Sequence, residues 1–206
     1  MDGKKRKVTV VGAGAVGSTF AYALAQSGLA DEIAITDMNR NFAEGQALDL
    51  VQGLPFLPQV DIHAGDVSDY TDSDIVVITA GAKQQSGETR IDLLKRNVSI
   101  ITGIAQSVAE SGCRGVMLIV SNPVDILTQA ALKASGWKRG RVIGSGTVLD
   151  TARFRYTLSR ECGVDARNIH GYILGEHGDS EFAAWSMTSI AGRRVDEYCK
   201  DGVCSS

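Results

Sequence analysis

The stretch VTVVGAGAVGS, residues 8–18, constrains the fold more than any other part of the chain. A short β-branched run ends directly in glycine, and Gly12, Gly14 and Gly17 follow in the spacing G-x-G-x-x-G. After a strand, glycines so spaced permit a tight turn, close approach to a pyrophosphate, and close packing of the next helix. The phosphates then sit at the positive helix N-terminus. Alone the motif is weak, and its context gives it force. EIAITD, 32–37, reads as a second strand ending in Asp37, 20 residues after Gly17. A carboxylate there accepts hydrogen bonds from both ribose hydroxyls and repels a 2′-phosphate, so NAD is expected rather than NADP. The alternative is that Asp37 is a turn residue before Met38, Asn39 and Arg40.

Strand-like runs continue at 60–64, 74–81 (DIVVITAG), 115–123 (GVMLIVSNP) and 141–146 (RVIGSG). Helical patterns fill the intervals at 16–29, 41–50, 91–110 and 124–134. Six strands with intervening helices predict an α/β fold over 1–146, a doubly wound, mostly parallel six-stranded sheet of Rossmann type. The strand-end loops Thr79–Ala82 and Val120–Asn122 then share its carboxyl edge, where they border the ribose and nicotinamide. After Gly146 the pattern changes: 147–160 reads as a helix, and IHGYILGEHGDSEFAAWSMTSIAG as strands and turns. Residues 147–206 are expected to begin a second, α+β domain, incomplete because about sixty residues are few for an independent core.

A net charge of -3 argues against a nucleic-acid partner. Lys4, Lys5, Arg6 and Lys7 run straight into the first strand, which reads as a solubilising lead-in rather than a nuclear-type signal. No apolar run approaches the roughly 18 residues of a membrane span, and no signal-peptide pattern is present. A cytoplasmic protein with no membrane partner is therefore expected. Cys113, Cys162, Cys199 and Cys204 are scattered, and one close pair is weak support for a metal or a disulfide. Reduced thiols and no metal are expected.

GEHGDSE carries His177. A lone histidine is more often structural than catalytic, but three other residues change the balance. Asp150 and Arg153, in LDTAR, lie three apart on a predicted helix and share a face. Arg90 ends the polar loop AGAKQQSGETR, 80–90. A carboxylate beside an imidazole holds its tautomer and favours its protonated form. Such a ring can give a proton to a carbonyl oxygen or take one from an alcohol, the partner that hydride transfer needs. Arg153 can grip a substrate carboxylate bidentately, and a second arginine can polarise the carbonyl.

GAGAVG, AGAKQQSGETR, IVSNPVD, GSGTVLDTARFR and GEHGDS occur in this order, and together they resemble the NAD-dependent L-lactate/malate dehydrogenase family over nearly the whole chain. The resemblance implies His177 as general acid/base, Asp150 as its orienter and Arg153 as the substrate-carboxylate clamp. It implies Arg90 as a polarising residue on a mobile loop and Asn122 as a hydrogen-bonding partner near substrate and nicotinamide. Besides the three glycines and Asp37, it implies cofactor contacts at Val16, Gly81, Ala82, Val120, Ser121, Asn122 and Ser145. Within the family the residue at Gln84 separates substrates: malate enzymes meet the second carboxylate of oxaloacetate with arginine, whereas a neutral glutamine suits the methyl group of pyruvate. Arg155 and His170 stand where bacterial lactate dehydrogenases bind fructose 1,6-bisphosphate across a subunit interface, which requires a homo-oligomer, a dimer or tetramer. Family chains normally continue past DGVCSS, so this chain is expected to lack the C-terminal third. The alternatives to pyruvate and L-lactate are malate or another 2-oxo acid, or a nucleotide-binding module without activity.

Overall fold

The computed structural model describes residues 5–200. Lys4 of the basic lead-in and Cys204 lie outside them. The chain divides into two compact units, Met1–Gly144 and Ser145–Ser206.

In the first unit the strands are β1 (Lys7–Val11), β2 (Glu32–Thr36), β3 (Asp61–Ala64), β4 (Ile75–Ile78), β5 (Val116–Ile119) and β6 (Val142–Gly144). The helices between them are α1 (Ala15–Ser27), α2 (Arg40–Gln52), α3 (Arg90–Glu110) and α4 (Val124–Ser135). The strands stand in the order β3-β2-β1-β4-β5-β6, every neighbouring pair parallel. One apolar cluster joins Val10, Ile33, Ile35 and Val77 to Ala21, Ala25, Ala43 and Ala47 of α1 and α2. Another joins Val76, Ile78, Met117 and Ile119 to Ile101, Ala105, Leu127 and Ala131 of α3 and α4. Burial on both faces explains why these strands are continuous apolar runs rather than alternating ones. Strand order reverses between β1 and β4, which opens a crevice at their carboxyl ends.

The opposite end of β1 corrects the reading of the basic lead-in. Lys7 is buried, because the register sets it beside Glu32. Its Nζ lies 3.0 Å from Glu32 Oε1, 2.8 Å from Asp69 Oδ1 and 2.9 Å from Asp72 Oδ1. Burial works against the ammonium, but the three carboxylates outweigh it and raise its pKa. For Asp69, burial works against the carboxylate, while Lys7, the Asp66 N–H and His63 hold its pKa below the usual range. A folded pKa below the unfolded one means the contribution is present above about pH 4 and is lost as pH falls through the folded value. Lys7→Met, which strands these carboxylates, is expected to destabilise the unit by about 3–5 kcal/mol near neutral pH. The loss should shrink in acid, where the carboxylates protonate. Urea unfolding at both pH values checks this, and an equal loss at each would remove the electrostatic account.

The second unit comprises α5 (Val148–Cys162), β7 (Ile169–His170), β8 (Ile173–Leu174), β9 (Phe182–Ala183), β10 (Ser189–Ile190), β11 (Arg193–Arg194) and α6 (Val195–Lys200). β11-β10-β7 form one antiparallel sheet and β8-β9 another. Cys162, Ile169 and Ile190 centre its small core. Among the described residues no helix is long and apolar enough to cross a membrane.

Candidate functional site

The glycine turn is fixed from both sides. Gly12 has φ of +103°, and a Cβ there would stand 2.7 Å from Ala80 N, so both conformation and space require glycine. At Gly17 a Cβ would fall 1.9 Å from Gly12 O. The Gly12 N–H donates to Thr36 O at 2.7 Å, and Thr79 Oγ1 donates to Gly12 O at 2.9 Å. Asp37 belongs to the same assembly: Oδ2 accepts from Ala13 N and Oδ1 from Asn39 N, each at 2.9 Å. Its carboxylate is thus both a turn former and a group held against the glycine turn.

The β4 and β5 ends are stitched together. Ser121 Oγ donates to Ala80 O at 2.5 Å, and Val120 N to Ile78 O at 2.9 Å. Asn122 is exposed beyond them. The Ala82 N–H donates to Oδ1 of Asn97, a buried polar residue of α3, at 2.8 Å. This holds the Gly81–Ala82 turn in place, and the sequence reading missed it.

The polar loop folds on itself. Arg96 Nη2 donates to Lys83 O at 2.8 Å and to Glu88 Oε2 at 2.9 Å. Gln84 is exposed, and its Nε2 donates to Glu88 O at 2.9 Å. Arg90 was expected on the loop, whereas it is the first residue of α3. The reason is local: Thr89 Oγ1 accepts from Asp92 N at 3.1 Å and so caps the helix. The sequence signal was Thr89 with Asp92 three residues on.

In the second unit His177 lies in the connection between β8 and β9. Its Nδ1 is 2.6 Å from Asp150 Oδ2. Asp150 Oδ1 accepts from Arg153 Nη1 at 3.1 Å, as their spacing on one helix face implied. The alignment follows from how α5 grips β8. Thr147 Oγ1 donates to Ile173 O at 2.6 Å, and Thr151 Oγ1 accepts from Ile173 N at 3.0 Å. Asp150 lies between those anchors and is buried. Burial works against its charge, but the bonds and charges of His177 and Arg153 hold its pKa below the ordinary carboxylate range. An ionised Asp150 makes Nδ1 the donor, so Nε2 is the nitrogen where a proton is exchanged. Arg155 Nε donates to Gly171 O at 3.1 Å, next to the exposed His170.

Residues 6–144 match the family model described as lactate/malate dehydrogenase, NAD binding domain, and residues 147–205 match its alpha/beta C-terminal domain. The chain belongs to the lactate/malate dehydrogenase family. It is 91% identical over all 206 residues to the L-lactate dehydrogenase of Treponema denticola, spanning 65% of that protein's length. A lactate dehydrogenase from a Medee basin deep-sea metagenome superposes with a TM-score of 0.93 at 48% identity, over 96% of this chain and 63% of that one. The ligand-bound minor L-lactate dehydrogenase of Enterococcus mundtii gives a TM-score of 0.93 at 44% identity, over 97% of this chain and 64% of that one. The chain therefore spans a little under two thirds of the relatives it matches.

This member of the lactate/malate dehydrogenase family has a turn that fits the NAD of its matched domain. Gly14, Ala15 and Val16 are exposed, and nothing lies within 4 Å of where a Gly14 Cβ would stand. Helix α1 has no side-chain cap and no acidic residue in its first turn, which leaves its N-terminus for an anion. Ser145, also expected to touch the cofactor, is the first residue of the second unit.

Two groups of potential metal-ligand atoms occur among the described residues: Glu32, His63 and Asp69, and Asp150, His177 and Glu181. Lys7 Nζ already sits on Glu32 and Asp69 of the first. In the second, His177 and Arg153 engage the two oxygens of Asp150.

Proposed function

We propose that this chain carries the cofactor domain and the acid/base residues of an L-lactate dehydrogenase, which reversibly reduces pyruvate to L-lactate. The observation that carries the reading is the 2.6 Å contact of His177 Nδ1 with a buried, ionised Asp150, itself bonded to Arg153. NADH, when bound, supplies the hydride. His177 Nε2 gives the proton to the carbonyl oxygen in reduction and recovers it in oxidation. Asp150 fixes the tautomer and stabilises the imidazolium, and Arg153 clamps the substrate carboxylate. Arg90, at the start of α3, polarises the carbonyl, and Asn122 hydrogen-bonds near the reacting centre. Gly12, Gly14, Val16 and Gly17 would hold the pyrophosphate, and Asp37 the ribose hydroxyls. Gly81, Ala82, Val120 and Ser121 of the first unit, and Ser145, would be the further contacts of the cofactor.

The protein works in the cytoplasm, in glycolytic fermentation, as a homo-oligomer (a dimer or tetramer). The deciding experiment follows NADH oxidation by this 206-residue chain with pyruvate, and with oxaloacetate as competitor. Turnover of pyruvate supports the reading. A preference for oxaloacetate would make it a malate enzyme, and NADH binding without turnover a nucleotide-binding module.

Arg155 and His170 are the basis of a regulatory site for fructose 1,6-bisphosphate. The bond from Arg155 to the carbonyl of Gly171 supports this, because it brings the guanidinium to the residue next to His170. A guanidinium and an imidazole near each other suit a phosphate, and a two-fold axis would supply a second pair for the second phosphate. Activity at low pyruvate should rise when the bisphosphate is added, and unchanged kinetics would remove this site.

A further inference from the structure

Glu181 immediately precedes β9, at the far end of the connection that carries His177, and it has no part in the chemistry assigned above. Its Oε2 lies 3.8 Å from His177 Nδ1, beyond hydrogen-bond reach but well within charge range. That oxygen is buried and has no hydrogen-bond partner. Burying a carboxylate oxygen without a donor is costly unless a charge nearby compensates. The Glu181 N–H donates to Gly178 O at 3.1 Å, a turn that fixes the residue within the same connection as the ring.

We propose that Glu181 is a positioning residue for the imidazole, a second carboxylate that, with Asp150, favours the protonated ring and holds it in place. The two acids differ in kind. Asp150 makes a direct bond at 2.6 Å and is tied to Arg153, which neutralises part of its charge. Glu181 makes no bond to the ring and acts through its field. Other charged residues stand near the ring: α5 presents Asp150 and Arg153, and the ring's own connection carries Asp179 and Glu176, whose Oε2 accepts from Ser180 Oγ at 3.4 Å. Burial strengthens the field of Glu181 relative to the same charge in water, because Nδ1 and Oε2 have little solvent between them. The consequence is directional. A protonated ring is the form that reduces a ketone, and a neutral ring is the form that oxidises an alcohol. Glu181 therefore biases the site toward reduction.

The test reads the ring directly. The chain has three histidines, His63, His170 and His177, so each imidazole can be followed by NMR through a pH titration. In Glu181→Gln, which keeps the shape and removes the charge, the His177 midpoint should move to lower pH by about half a unit or more. His63 and His170 should stay in place, and their shifts report whether the variant is folded. Glu181→Asp, which keeps the charge one methylene farther away, should give an intermediate midpoint. A His177 midpoint within about 0.1 unit of the parent in folded Glu181→Gln would overturn the proposal. The kinetic arm rests on the dehydrogenase reading. In Glu181→Gln the alkaline limit of pyruvate reduction should move to lower pH, and the acid limit of lactate oxidation should extend downward with it. A merely structural loss would lower both rates without moving either limit. If the chain turns over neither substrate, the dehydrogenase reading fails while the NMR titration still decides the role of Glu181.

Discussion

His177→Ala is expected to lower pyruvate-dependent NADH oxidation by roughly 10²–10⁴-fold, the usual worth of a positioned acid/base group. NADH affinity should stay as it was, because the glycine turn, Asp37 and α1 belong to the first unit and His177 to the second. Asp150→Asn is the informative companion. Asparagine keeps the shape and loses the charge that makes Nδ1 the donor, so the ring can adopt the wrong tautomer. Residues that act as one unit are not additive, so the double variant should be little worse than His177→Ala alone. Rates from stopped-flow turnover and NADH affinity from fluorescence titration separate the two effects. Persistence of activity in folded His177→Ala would falsify the mechanism.

The legible parts of this structure are those whose partners are near in sequence or announced by composition. Gly12, Gly14 and Gly17 sit within one turn, and the buried parallel strands declare themselves as β-branched runs. Asp150 and Arg153 share a helix face at a spacing of three, and they do bond. The Arg90 helix start was also local, but the polar composition of 80–90 masked the cap formed by Thr89 and Asp92. What was missed depends on distant partners. Asn97 holds Ala82 across 15 residues, and Lys7 meets Asp69 across 62. A lysine ahead of a strand reads as solvated until the parallel register sets Glu32 beside it. Glu181 escaped notice for a different reason: it makes no hydrogen bond to the ring, and its importance lies in an unmet buried oxygen. No sequence pattern encodes an absence of that kind.

The second large effect concerns substrate choice. Gln84→Arg is expected to move the ratio of kcat/KM for oxaloacetate over pyruvate by about 10³-fold or more, the range open to a site that meets or leaves unmet a buried polar group. In the parent chain Gln84 spends its amide on its own loop, donating to Glu88 O at 2.9 Å. It is neutral and presents no charge to a second carboxylate, so oxaloacetate would bring in an unmatched charge, which costs several kcal/mol in effective terms when buried. Arginine at this position reverses the balance. Its guanidinium can take that carboxylate bidentately, whereas with pyruvate the same cation faces only a methyl group. Both halves of the change should appear, a gain for oxaloacetate and a loss for pyruvate. The loop itself should survive the exchange, because Arg96 holds Lys83 O and Glu88 Oε2 independently of residue 84. A matched set of initial rates with the two substrates measures the ratio. An unchanged ratio in a variant that still binds NADH would show that selectivity is set somewhere other than residue 84.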